Sequence, residues 1–196
     1  MLSAAFSRIR SISSGTAAAF ARRSEFAEFL REVGETELAA RCIAGVFADP
    51  RELAGRTILE VHLALDRGER ARALRTLLEL SRDPPLRPGD RISAAEAMLR
   101  VVGSFPRDWL QSNFFEGPIA YIAGLAHQLA SRRDAARLQW EAALKLVEPR
   151  LVSAPSAANL LHLKGKLQAL LGDRTEAAKN IALARQNDVR NEIRSG

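Results

Sequence analysis

Cysteine occurs once in these 196 residues, at Cys42, so no intramolecular disulfide can form and a thiolate-based zinc site lacks its ligands. Tyrosine also occurs once, aromatics make up only 6%, and lysine is confined to Lys145, Lys164, Lys166 and Lys179. No stretch approaches the roughly 18 consecutive apolar residues of a membrane span. No GxxxxGK or GxGxxG run is present to cradle a phosphate. These absences exclude a disulfide-stapled secreted domain and an integral membrane helix, and they leave no cofactor-binding signature. What is present suffices for a packed core: 47% hydrophobic and 27% charged residues, in a length that fits one domain or a short repeat array.

The formal net charge is +6. It is unevenly placed. Residues 1–24 hold Arg8, Arg10, Arg22 and Arg23 and no acid, residues 185–196 add one net positive charge, and the body at 25–184 is left nearly neutral. Tight phosphate binding needs several cations clustered on one face, so a nearly neutral body argues against a nucleic-acid groove. The Ser-, Ala- and Arg-rich segment 1–24 has the composition of an organellar transit peptide and lacks the apolar core of a secretory signal. Two other readings fit the same composition: a flexible basic segment over 1–19, or a first helix already under way at 16–23.

Helical periodicity runs through the rest. Phe26, Phe29, Leu30 and Val33 recur at three- and four-residue spacing. Ile58, Leu59, Val61, Leu63 and Leu65 form a denser apolar helix that stops at Asp66, Arg67 and Gly68, and Leu74, Leu77, Leu78 and Leu80 mark the next. No Val, Ile and Thr run alternates with polar residues, so no strand is expected. Breaks fall at Gly34, Pro50, Gly68, 83–89, Pro106, Gly117, Pro149, Pro155 and Gly172. Short connections between successive helices imply antiparallel neighbours.

The spacing of small residues carries more. Gly165 is followed 12 residues later by Ala177, then by Ile181 and Ala184, across the break at Leu171 and Gly172. Forty-one residues earlier, Gly124, Ala136, Trp140 and Ala143 repeat that spacing. In the N-terminal half, Ala39 and Ala73 lie 34 residues apart, each five after a glycine and four before a large residue, Ile43 or Leu77. A small residue in the first helix and alanines in the second let two backbones approach to about 8–10 Å, with one bulky side chain filling the remaining gap. A single such pair cannot bury its faces, so pairs stack.

This pattern resembles the tetratricopeptide repeat, a 34-residue helix–turn–helix unit. Gly165, Leu171, Gly172, Ala177, Ile181 and Ala184 carry the resemblance in the last unit, and Gly124, Ala136, Trp140 and Ala143 in the one before. Ala27 and Val61 stand at the helix-crossing glycine positions of the first two units. The stretch 126–186 also resembles the terminal repeats of some bacterial multidomain regulators, receptor-kinase-like and cyclase-like chains among them, whose last repeats have an elongated second helix, as 138–152 suggests here. The resemblance covers 20–85 and 117–188. It implies an all-α fold of antiparallel helix pairs stacked as a right-handed superhelix over 20–188, with a tail at 189–196. Residues 86–116 depart from the spacing and read as a degenerate pair, with helices near 93–103 and 107–115.

The family binds peptides with its first helices. The resemblance thus implies a groove formed by Tyr121, Leu125 and Gln128 in one unit and Asn159, His162 and Lys166 in the next. The repeated Lys/Asn/Arg clamp that some members use for a peptide carboxylate is absent. Residue by residue, nothing points to catalysis. His62, His127 and His162 lie in three different first helices, and none has a second histidine one turn on. Cys42 reads as a small buried hydrophobe. Glu25, Glu28, Glu32, Glu35 and Glu37 read as a solvated face offset by Arg31. Five of the 11 aromatics, Phe105, Trp109, Phe114, Phe115 and Tyr121, fall where the repeat spacing fails. They read first as fillers of that joint and second as an anchor for a bound peptide.

The expected function is a non-catalytic, cytoplasmic scaffold or adaptor with a protein or peptide partner, no cofactor, no metal and no small-molecule substrate. Residues 1–24, read as a transit peptide, would place it in an organellar matrix. Two alternatives are an accessory repeat region of a larger signalling enzyme and a basic-tail module that contacts a membrane surface or nucleic acid.

Overall fold

The computed structural model describes residues 17–44, 50–82, 86 and 88–195. The expectations for 1–16, and for 83–85 and 87 within the break at 83–89, lie outside these. The described residues are mainly helical. Contacts divide the chain into two units, Met1–Ala97 and Met98–Gly196, with the boundary inside α5 (Pro88–Gly103).

The first unit contains α1 (Ala17–Glu32), α2 (Thr36–Ile43), α3 (Pro50–Asp66) and α4 (Arg70–Arg82). Helices α1 and α2 pack as a pair, as do α3 and α4, and α3 also touches both helices of the first pair. Their core joins Ala27, Leu30, Ala39, Cys42, Ile43, Leu59 and Leu63. The face expected for α1 is rotated: Leu30 is buried, but Phe29 and Val33 are 52% and 55% exposed. Ala27 takes the inward position instead, because its small side chain lets α2 come close. One acid of the run, Glu37, pairs outside its own helix, and Arg31, expected to offset the run, turns to Asp66. Arg31 meets Asp66 at 3.3 Å and Glu37 meets Arg67 at 2.7 Å, surface pairs that each contribute at most about 1 kcal/mol.

The second unit holds β1 (Trp109–Gln111), β2 (Glu116–Pro118), α6 (Ile119–Leu129), α7 (Arg133–Ser153), α8 (Ala158–Leu171) and α9 (Arg174–Ser195). Helices α6 and α7 pair, α8 and α9 pair, and α7 also packs on α8. Their core centres on Trp140, Val147, Leu151, Leu161, Leu163 and Leu167. The elongated second helix is present as α7, and Pro149, expected to break it, lies inside it. Helix α9 continues through the residues assigned to a tail, as far as Ser195.

One turn chemistry closes all four pairs. A residue with positive φ ends each first helix: Gly34 at 85°, Gly68 at 77°, Ser131 at 61° and Gly172 at 96°. Its N–H donates to the carbonyl three residues back, and the next N–H to the carbonyl five residues back. The second of these bonds runs from Glu35 to Leu30, Glu69 to Ala64, Arg132 to His127 and Asp173 to Gln168. This left-handed cap satisfies carbonyls that the helix end would otherwise orphan. Counted from the cap, the same positions are filled every time. Seven residues before it stand Ala27, Val61, Gly124 and Gly165, all buried. Five after it stand Ala39, Ala73, Ala136 and Ala177, at most 3% exposed. Nine after it stand Ile43, Leu77, Trp140 and Ile181.

The crossing glycines are places of close approach. A Cβ on Gly124 would fall onto the Trp140 indole, 2.8 Å from Cε2 and nearer still to Nε1 and Cδ1. A Cβ on Gly165 would lie 2.7 Å from Ile181 Cγ1 and 3.0 Å from the Ala177 carbonyl oxygen. The large side chain of each second helix thus occupies the space that the glycine of the first helix leaves.

The expected helix at 107–115 is instead an antiparallel hairpin pairing Trp109 with Pro118, Leu110 with Gly117 and Gln111 with Glu116. Ser112 closes its turn, donating from both N–H and Oγ to the Phe115 carbonyl while its Oγ accepts from the Phe115 N–H. Ile119 N–H donates to the Asp108 carbonyl and Ser112 N–H to that of Phe115, so Trp109 and Pro118 form a non-hydrogen-bonded pair. The N–H that proline lacks at 118 therefore costs the ladder nothing.

Candidate binding cleft beside the hairpin

Strand alternation sends Leu110 into the core, 7% exposed, and sets Trp109, Gln111 and Glu116 on the opposite face of the hairpin. The length of α7 brings Arg150 to that face, where its guanidinium carbon lies 3.8 Å from the centre of the Trp109 ring. The first turn of α8 brings Asn159, whose amide donates to Glu116 Oε2 at 3.0 Å.

Two clefts flank this group and share Trp109, Glu116 and Arg150. One, of about 570 Å3, is completed by Phe105, Pro106, Arg107, Leu110 and Gln111. The other, of about 620 Å3, is completed along α7 and α8 by residues including Ser153, Ala157 and Leu160. Both are open to solvent, and their linings mix apolar side chains with charged and polar ones.

Of the six residues expected to form a groove on the first helices, one, Asn159, lines a cleft described above. Asn159 is exposed and reaches the cleft. Tyr121 stacks on Phe115, centroids 5.7 Å apart and planes at 10°, and packs with Leu125 against the core. Gln128 and Lys166 are exposed, and His162 is half-buried. None of these last three lines either cleft.

Within the aromatic cluster, Phe115 stacks on Tyr121, which packs against the core, while Trp109 and Phe105 line a cleft. Arg150 carried no signal of its own in the sequence, because its partner ring lies 41 residues away and only the length of α7 brings them together.

Cys42 is buried. Asp66, four residues after His62, is taken by Arg31. Lys179, whose pKa is pushed up by its hydrogen bond to Glu176 and by that carboxylate's charge, stands on α9 away from the clefts. Among the described residues no group of three or more His, Cys, Asp or Glu side chains could hold a metal ion, and no helix is long and apolar enough to cross a membrane. No protein-family model, curated protein or solved structure matches the chain.

Proposed function

We propose that this chain is a non-catalytic scaffold or adaptor of tetratricopeptide-like helix pairs that binds a protein partner. The observation that carries the reading is the single register kept by four helix pairs, with a small crossing residue, a left-handed cap, an alanine and a large side chain at fixed intervals. Such repetition builds pre-organised helix faces, and pre-organisation lowers the cost of binding. Right-handed superhelical stacking of the pairs belongs to the same reading. So does a cytoplasmic location, or an organellar matrix if residues 1–24 are a transit peptide.

The exposed side chains Gln128, Asn159 and Lys166 present the partner-binding surface of the first helices in this reading, with half-buried His162 on the same helix as Asn159 and Lys166, and Tyr121 and Leu125 packed against the core. The purified chain, used as bait in native extract, should capture a defined set of proteins. The triple variant Gln128→Ala, Asn159→Ala, Lys166→Ala should lose at least part of that set while melting as the parent does. An unchanged set removes the partner surface from the first helices. Capture of nothing beyond the bait-free control overturns the adaptor reading itself.

A further inference from the structure

The backbone of β1 has one side unused. Its hydrogen-bonded pairs with β2 are at Leu110 and at the flanking positions Asp108 and Ser112, so the N–H and C=O groups of Trp109 and Gln111 point away from β2. The sheet has two strands, and among the described residues no group is hydrogen-bonded to those four. Donors and acceptors two residues apart on a strand repeat every 6–7 Å or so, the repeat of any extended peptide. Open edges of this kind template the addition of a further strand.

The cleft beside this edge is cationic. Arg107 is exposed and Arg150 sits over the Trp109 ring, and neither makes an ion pair among the described residues. A guanidinium held over a ring still has N–H groups to offer a carboxylate, which it can grip with two bonds. The acid in the lining, Glu116, already accepts from Asn159.

We propose that β1 and this cleft bind an extended, acidic segment of a partner protein, which adds as a third strand along Trp109–Gln111 and places its carboxylates on Arg107 and Arg150. The proposal rests on the scaffold reading and names the class of partner. A second copy of the chain fits less well: antiparallel self-pairing centred on Trp109 would set Arg107 against Gln111, with no opposite charge to receive it. A nucleobase fits less well too, because Arg150 covers the ring face on which it would stack.

The test uses the full chain and a fluorescein-labelled octapeptide of alternating Glu and Val, read by anisotropy. Controls are the Lys and Val counterpart and the Glu and Val peptide with alternate amides N-methylated, which keeps the charge and removes the backbone donors. The acidic peptide should bind. The Lys peptide should not, and N-methylation should weaken binding at least tenfold. Arg107→Gln combined with Arg150→Gln should weaken it at least tenfold, with Arg150→Lys intermediate and the far-UV melt unchanged in each.

No binding, or equal binding of the N-methylated peptide, overturns strand addition. Displacement of the peptide by a single-stranded oligonucleotide at lower concentration than by unlabelled peptide reassigns the cleft to phosphate and overturns the proposal. Self-association in sedimentation that Gln111→Pro abolishes gives the edge to a second copy and does the same. The peptide assay does not depend on the native partner. Capture that persists in the double-arginine variant, together with no peptide binding, defeats the inference alone. Peptide binding without any native capture defeats the scaffold reading alone.

Discussion

The indole of Trp140 lies over the backbone of Gly124, in the space a Cβ at 124 would need. The contact also leaves Trp140 Nε1 buried with no hydrogen-bond partner among the described residues, a cost of about 1–3 kcal/mol. Packing must exceed that cost, since Trp140 is 5% exposed at the centre of the second unit. The pair should therefore behave as one object under mutation. Gly124→Ala should destabilise the chain by about 1–3 kcal/mol through overpacking, and Trp140→Leu by a similar amount through lost volume. Together they should cost less than their sum by at least about 1 kcal/mol, because the smaller side chain makes room for the new methyl. A double-mutant cycle in urea measures this, and strict additivity would mean that the two residues do not share the space.

Ser131 holds the left-handed cap of the third pair, where the other three have glycine. A side chain there strains the backbone. Ser131→Gly should raise stability by about 0.5–1 kcal/mol, and Gly172→Ala should lower it by a similar amount. Nothing lies within 4 Å of a Cβ at 172, so the second effect is purely conformational. Thermal melts of the two variants, moving in opposite directions, are the measurement.

On α1, Leu30 and not Phe29 or Val33 faces the core. Leu30→Ala should cost about 2–5 kcal/mol. Phe29→Ser with Val33→Ser should stay within about 1 kcal/mol of the parent, at about 0.5 kcal/mol for each exposed site. Chemical denaturation at matched slope distinguishes the two. A large loss in the double-serine variant would show that the exposed pair is covered by something in the folded chain.

Much of the architecture could be read from the order of residues alone. Helix pairs, the turns at Gly34, Gly68 and Gly172, and the crossing roles of Gly124 and Gly165 follow from side-chain size and backbone freedom at fixed intervals. Those are local properties, and every pair obeys them. Tertiary structure decided what local preference leaves open. Residues 109–118 became a hairpin because Ser112 could close a turn and Pro118 fell at a position that needs no donor. The inward face of α1 went to Ala27 over Phe29 because close approach outweighed the larger hydrophobe. Arg150 met Trp109 because α7 runs through Pro149 far enough to carry it there. Periodicity along the chain says which residues share a face. Which face is buried, and which distant side chain arrives beside it, is set by the packing of elements that no single segment encodes.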